Sequence, residues 1–87
     1  MWFIYILLCE DNSLYTGLTN NLEKRFEAHK NGKGAIYTRS HKPLKIIYQE
    51  EFNTKSEALK RESEIKSWNK AKKLAICNIS PLDTPDV

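Results

Sequence analysis

Residues 2–9, Trp2-Phe3-Ile4-Tyr5-Ile6-Leu7-Leu8-Cys9, are apolar at odd and even positions alike and rich in aromatic and β-branched side chains. That pattern predicts a strand covered on both faces. Asp11-Asn12-Ser13 is a turn cluster, and Leu14 to Thr19 reads as a second strand closing a hairpin on the first. The pattern then lengthens to a helical period. Asn20-Asn21 offers a cap for a helix from Leu22 to Lys30, which Asn31-Gly32-Lys33-Gly34 ends. Residues 32–43 read as a basic loop closed by Pro43, and residues 44–50 as a third strand. Thr54 or Ser56 caps a helix running to Trp68, with Ala58, Leu59, Ile65 and Trp68 at helical spacing. A short last helix spans Ala71 to Cys77. The expected fold is α+β, a three-stranded antiparallel sheet flanked by helices in the order β-β-α-β-α-α. One domain covers residues 1–79. The tail, residues 80–87, carries Pro81 and Pro85 and is expected to be disordered.

Five side chains invite a reading beyond a purely structural role. On the second long helix, with Ala58 set to zero and about 100° per residue, Glu62 falls at about 40° and Ile65 at about 340°. A carboxylate inside an apolar stripe loses hydration unless it is paired or binds a metal. Lys66, one turn on, is the obvious partner for an ion pair. On the first helix Arg25 and His29 lie one turn apart at the border of the apolar face, where they reach the sheet or simply edge the helix. Tyr5 and Tyr15 belong to adjacent strands. A three-residue turn at 11–13 pairs Cys9 with Tyr15 and puts both tyrosines on one face, whereas a four-residue turn separates them.

Length and charge narrow the classes. The 87 residues carry 14 Lys and Arg against 11 Asp and Glu, a net charge of +3. This is only a mild lean towards polyanions. The two cysteines are far apart with no CxxC or Cys/His cluster, which argues against structural zinc and for two buried free thiols. No basic leader precedes the apolar start, Glu10-Asp11-Asn12 interrupts it early, and it is too short to span a bilayer. A cytoplasmic protein is expected.

Tyr5, Tyr15-Thr16-Gly17, Arg25 and Glu62, in that order and on those elements, give the chain its resemblance to the GIY-YIG nuclease domain. Ile4-Tyr5 matches the end of the first signature with Phe3 in place of glycine. Tyr15-Thr16-Gly17 matches the second with threonine in place of isoleucine. The segments from Cys9 to Gly17, from Gly32 to Arg39 and from Glu57 to Lys66 resemble the small stand-alone bacterial members. His29 stands where better-known members carry tyrosine, and Leu18 where some carry lysine. The resemblance implies a metal-dependent endonuclease acting on DNA or RNA, with one Mg²⁺ or Mn²⁺ held by Glu62 and the scissile phosphate gripped by Arg25. It further implies an attacking water served by Tyr15 or Tyr5, with His29 the chemical rival as the side chain tuned to neutral pH. Lys33, Tyr37, Thr38, Arg39, Lys42 and Lys66 are the candidates to line the nucleic-acid groove. Two other readings compete. One is a non-catalytic nucleic-acid-binding module of the same fold. The other is a protein adaptor anchored by Trp2 and Trp68. A protein partner supplying affinity is compatible with a nuclease this small.

Overall fold

The computed structural model describes residues 1–77. The expected tail lies outside them. The elements are β1 (Trp2–Cys9), β2 (Leu14–Thr19), α1 (Leu22–Lys30), α2 (Ile36–Ser40), β3 (Pro43–Phe52), α3 (Lys55–Lys66) and α4 (Lys70–Ile76). The sheet is antiparallel throughout, in the order β2-β1-β3. The uncharged β1 is the central strand, and Ile4 to Cys9 are all buried, as its unbroken apolar run requires.

The helices α1, α3 and α4 each begin where a side chain can take up an orphan backbone donor. Asn21 accepts from the Lys24 amide, Thr54 from that of Glu57, and Asn69 from that of Lys72. Of the two caps considered for α3, Thr54 is the one used. At the end of α1 the Gly32 amide bonds to the His29 carbonyl and the Lys33 amide to that of Ala28, with Gly32 at φ 72°. This is the Schellman arrangement, and it needs a residue that tolerates the left-handed region.

Three expectations are corrected. Residues 32–43 are not simply a loop, because five of them form α2. No side chain caps this helix, and it lacks the length for a readable apolar period. Leu59 does not face the core but is 44% exposed, since at about 100° from Ala58 it lies beyond the buried stripe. Cys77 is only half-buried, while Cys9 is buried, and both thiols are free.

The two faces of the sheet do different things. Ile4 and Ile6 pack with Ala58 and Ile65 of α3, with Leu14, Leu18, Ile47 and Phe52 around them. The opposite face carries Tyr5, Leu7, Tyr15 and Gly17. Trp2 and Trp68 lean on the first cluster and are half-buried. Lys55 lies over the Trp2 ring, and Arg61 and Lys72 over that of Trp68. Among the described residues no helix is long and apolar enough to cross a membrane.

Candidate active site

The hairpin register decides whether the two tyrosines meet. The Cys9 amide bonds to the Ser13 carbonyl and the Asn12 amide to that of Cys9, with Asn12 at φ 68°. The turn is therefore the three residues Glu10-Asp11-Asn12, a turn closed by a left-handed residue, which asparagine accepts. Tyr15 pairs with Leu7 rather than with Cys9, and Tyr5 pairs with Gly17. The slip from the expected pairing is two residues, so parity is preserved and Tyr5 and Tyr15 share a face. Their ring centroids lie 6.4 Å apart.

His29 comes down onto this face from α1. It is 1% exposed and sits edge-on to both rings, 5.9 Å from Tyr5 and 5.3 Å from Tyr15. The Tyr5 hydroxyl lies 2.8 Å from His29 Nε2, and Thr38 Oγ1 lies 2.7 Å from His29 Nδ1. Thr38 also donates to the Ala35 carbonyl at 3.0 Å. Thr38 thus lies beneath α2, 2% exposed, and does not line a groove as expected from the sequence; its hydroxyl is committed to α1 and to its own helix. Two glycines permit the packing. A Cβ at Gly17 would stand 2.3 Å from the Tyr5 hydroxyl, and one at Gly34 would stand 2.2 Å from His29 Nδ1.

Arg25, one turn before His29, lies beside the Tyr5 and Tyr15 hydroxyls. Its Nε is buried with no partner among the described residues. Burial pushes the Tyr5 hydroxyl up to about 12, the neighbouring Arg25 opposing that rise and the Glu62 carboxylate adding to it. Burial, and then the Arg25 charge, pull His29 down to about 4. At neutral pH the pair is a neutral phenol and a neutral imidazole.

Glu62 lies on α3 as the helical geometry requires, between Ala58 and Ile65, with its side chain 16% exposed and Lys66 Nζ 3.5 Å away. The Glu62 charge is felt at Tyr5. Tyr37 stacks between Tyr15, at 5.8 Å, and His41, at 4.0 Å, which prolongs the aromatic row towards solvent. His41 is in turn held by Asp11. Lys33 and Arg39 are exposed, as is Lys42, whose Nζ is 4.0 Å from Glu10. Sequence reasoning missed His41 and the working role of Thr38. The signal for the first was its helical spacing from Tyr37. The signal for the second was a threonine three residues after Ala35, a spacing at which hydroxyls bond back to carbonyls.

The neutral His29 has a consequence for stability. Its pKa in the folded chain, about 4, lies below the ordinary 6.5. As pH falls below 6.5 the unfolded chain gains a proton that the native chain refuses, so stability is full above 6.5 and declines towards pH 4. The loss attributable to this residue is on the order of 3 kcal/mol. Urea unfolding of the wild type and of His29→Asn at pH 7 and pH 4.5 should show a distinctly larger acid loss in the wild type. Equal losses would mean that His29 is not held neutral.

The hairpin, the tyrosine-facing helix and the glutamate-bearing α3 together define a GIY-YIG catalytic domain, whose family model matches residues 1–75. The chain belongs to the GIY-YIG family. Within it, the chain is similar to the UPF0213 proteins. It is 54% identical to one from Staphylococcus saprophyticus over 85% of this chain and 90% of that protein. It is 48% identical to one from Cupriavidus necator over 97% and 91%. The solution structure of a UPF0213 protein from Bacillus halodurans superposes with a TM-score of 0.56 at 37% identity, over 95% of this chain and 92% of that one.

Proposed function

We propose that this protein is a divalent-metal-dependent nuclease that hydrolyses phosphodiester bonds in DNA. The observation that carries the reading is the placement of Arg25 beside two tyrosine hydroxyls, one of which lies 2.8 Å from the Nε2 of a buried neutral histidine. A guanidinium with a buried, unpartnered Nε suits a phosphate oxygen, because its planar fork offers several donors at once. The Tyr5 hydroxyl, hydrogen-bonded to His29 Nε2, keeps a lone pair beyond the one that faces Arg25 to accept a hydrogen bond from water. Tyr15, less buried than Tyr5, is the second candidate to orient that water. Tyr37, Lys33, Arg39 and Lys42 stand along the aromatic row where a strand would run, and their charges would act mainly on its backbone.

The donor set suits one hard cation. Glu62 is a largely buried carboxylate whose ion-pair partner, Lys66, is itself half-exposed. Among the described residues there is no group of three or more His, Cys, Asp or Glu placed to share a metal. Mg²⁺ or Mn²⁺ keeps most of its waters and accepts such a lone carboxylate. Bound by Glu62, the ion would supply positive charge for the leaving oxygen.

The contact between Lys66 and Glu62 favours a second reading, a nucleic-acid-binding module in which the carboxylate is permanently neutralised. The two separate in one experiment. Labelled plasmid, linear and branched DNA and an RNA control are incubated with Mg²⁺, Mn²⁺ or EDTA, beside Arg25→Ala. The nuclease reading expects cleavage that EDTA abolishes and that Arg25→Ala lowers on the order of 100-fold, the scale usual for a lost transition-state donor. Salt-sensitive binding without cleavage of any substrate would leave the binding module standing.

A further inference from the structure

The Tyr5–His29 contact has a direction, and the atoms on either side fix it. Thr38 has one hydroxyl proton and directs it at the Ala35 carbonyl, 3.0 Å away. Its oxygen can then only accept from His29 Nδ1, 2.7 Å away. At the other end the group beside the Tyr5 hydroxyl is Arg25, which carries only donors. The Tyr5 proton must therefore go to His29 Nε2, 2.8 Å away. Both ends demand the same tautomer, with the proton on Nδ1 and a bare Nε2. Hydrogen bonds then run one way, from Tyr5 through His29 and Thr38 to the Ala35 carbonyl.

We propose that Thr38 is a positioning residue that holds His29 in the Nδ1-protonated form, so that Nε2 stays open to accept the hydrogen bond of the Tyr5 hydroxyl. This deepens the nuclease reading and rests on it for the kinetic consequence, whereas the tautomer itself does not depend on any activity. Thr38 touches no substrate. It acts through His29, and it does so from α2, the helix that also carries Tyr37 and Arg39. Seating α2 on α1 is thereby coupled to the direction in which the Tyr5 hydroxyl points. The opposite tautomer would point an N–H at the Tyr5 hydroxyl, leaving the phenol proton facing Arg25 with no acceptor.

The test uses the full-length protein and the variants Thr38→Val and Thr38→Ser. Valine keeps the shape and removes the hydroxyl, while serine restores it. ¹⁵N spectra of the His29 ring report which nitrogen is protonated, whether or not the protein cuts. The wild type and Thr38→Ser should show the proton on Nδ1; in Thr38→Val a buried Nδ1–H would have no acceptor, a cost that outweighs the Tyr5 contact, so the proton should move from Nδ1. For cleavage, kcat should fall on the order of 10- to 100-fold in Thr38→Val with KM little changed, and recover in Thr38→Ser. That range is usual when the group orienting a working histidine is removed. Retention of the Nδ1 proton in Thr38→Val, or failure of serine to restore it, overturns the proposal. If the wild type shows the expected tautomer but cuts no substrate, the arrangement stands and the nuclease reading fails.

Discussion

Glu62→Gln is expected to lower metal-dependent cleavage by on the order of 100-fold or more while the protein melts within about 2–4 °C of the wild type. The two halves of this expectation have separate causes. Glutamine keeps the size and the packing between Ala58 and Ile65, but it gives up the negative charge that a hard cation requires. What stability is lost comes from the Lys66 contact. That contact is an i,i+4 pair with a half-exposed lysine, and such pairs contribute about 0.5 kcal/mol or less. Lys66→Ala serves as the comparison. It removes the same ion pair and leaves the carboxylate in place, so its cleavage should keep the full response to Mg²⁺ and Mn²⁺. Cleavage by Glu62→Gln at the wild-type rate would remove Glu62 from the metal site and reduce it to a partner for Lys66.

Gly34→Ala is expected to damage both stability and chemistry. The added methyl would fall 2.2 Å from His29 Nδ1, 2.7 Å from its Cγ and 2.8 Å from its Cε1. A flexible side-chain tip could swing away, but this ring is held at both nitrogens by Tyr5 and Thr38. Either the segment around Gly34 lifts, carrying α2 off α1, or the ring turns and breaks its bonds. Overpacking of this kind costs about 1–3 kcal/mol, which in a domain this small lowers the melting temperature by roughly 5–20 °C. Gly32, two residues earlier, is a useful contrast. Nothing lies near its absent side chain, and alanine there meets only the strain of φ 72°. Calorimetry should therefore rank Gly34→Ala well below Gly32→Ala in stability, with the ¹⁵N signals of the His29 ring perturbed only in the former. A Gly34→Ala protein that melts like the wild type would mean that the glycine is not what lets His29 seat.

What the sequence disclosed follows the range of the forces concerned. The position of Glu62 within an apolar stripe depends only on helical geometry, which is local, and it could be read directly. The same holds for Arg25 and His29, one turn apart on α1. Whether Tyr5 and Tyr15 share a face depended on one residue of hairpin register. The answer came from a turn at Glu10-Asp11-Asn12, displaced by one residue from the most obvious turn cluster. The two possible turn lengths were equally consistent with the amino acids alone. Thr38 was out of reach for a different reason. Its role depends on a five-residue helix that has no side-chain cap and is stabilised by docking on α1, so no periodicity announces it. From the sequence, Gly17 falls inside the second strand and Gly34 at the end of the first helix, but the reason for their small size lies in rings that approach from other elements.

The central position of β1 also bears on how the chain reaches this state. Its eight residues carry no charge, and in the native sheet both of its edges are covered, one by β2 and the other by β3. The first partner lies just past a tight turn, whereas the second begins only at Pro43. On a growing or refolding chain β1 can therefore form its hairpin early but must hold its other edge open until residues 43–52 arrive. A lone two-stranded hairpin is barely stable, and an uncharged, β-prone segment with a free edge pairs readily with a copy of itself. Refolding is thus a contest between intramolecular closure by β3 and association between molecules. The native sheet order, which hides this segment so completely, also makes its yield depend on protein concentration.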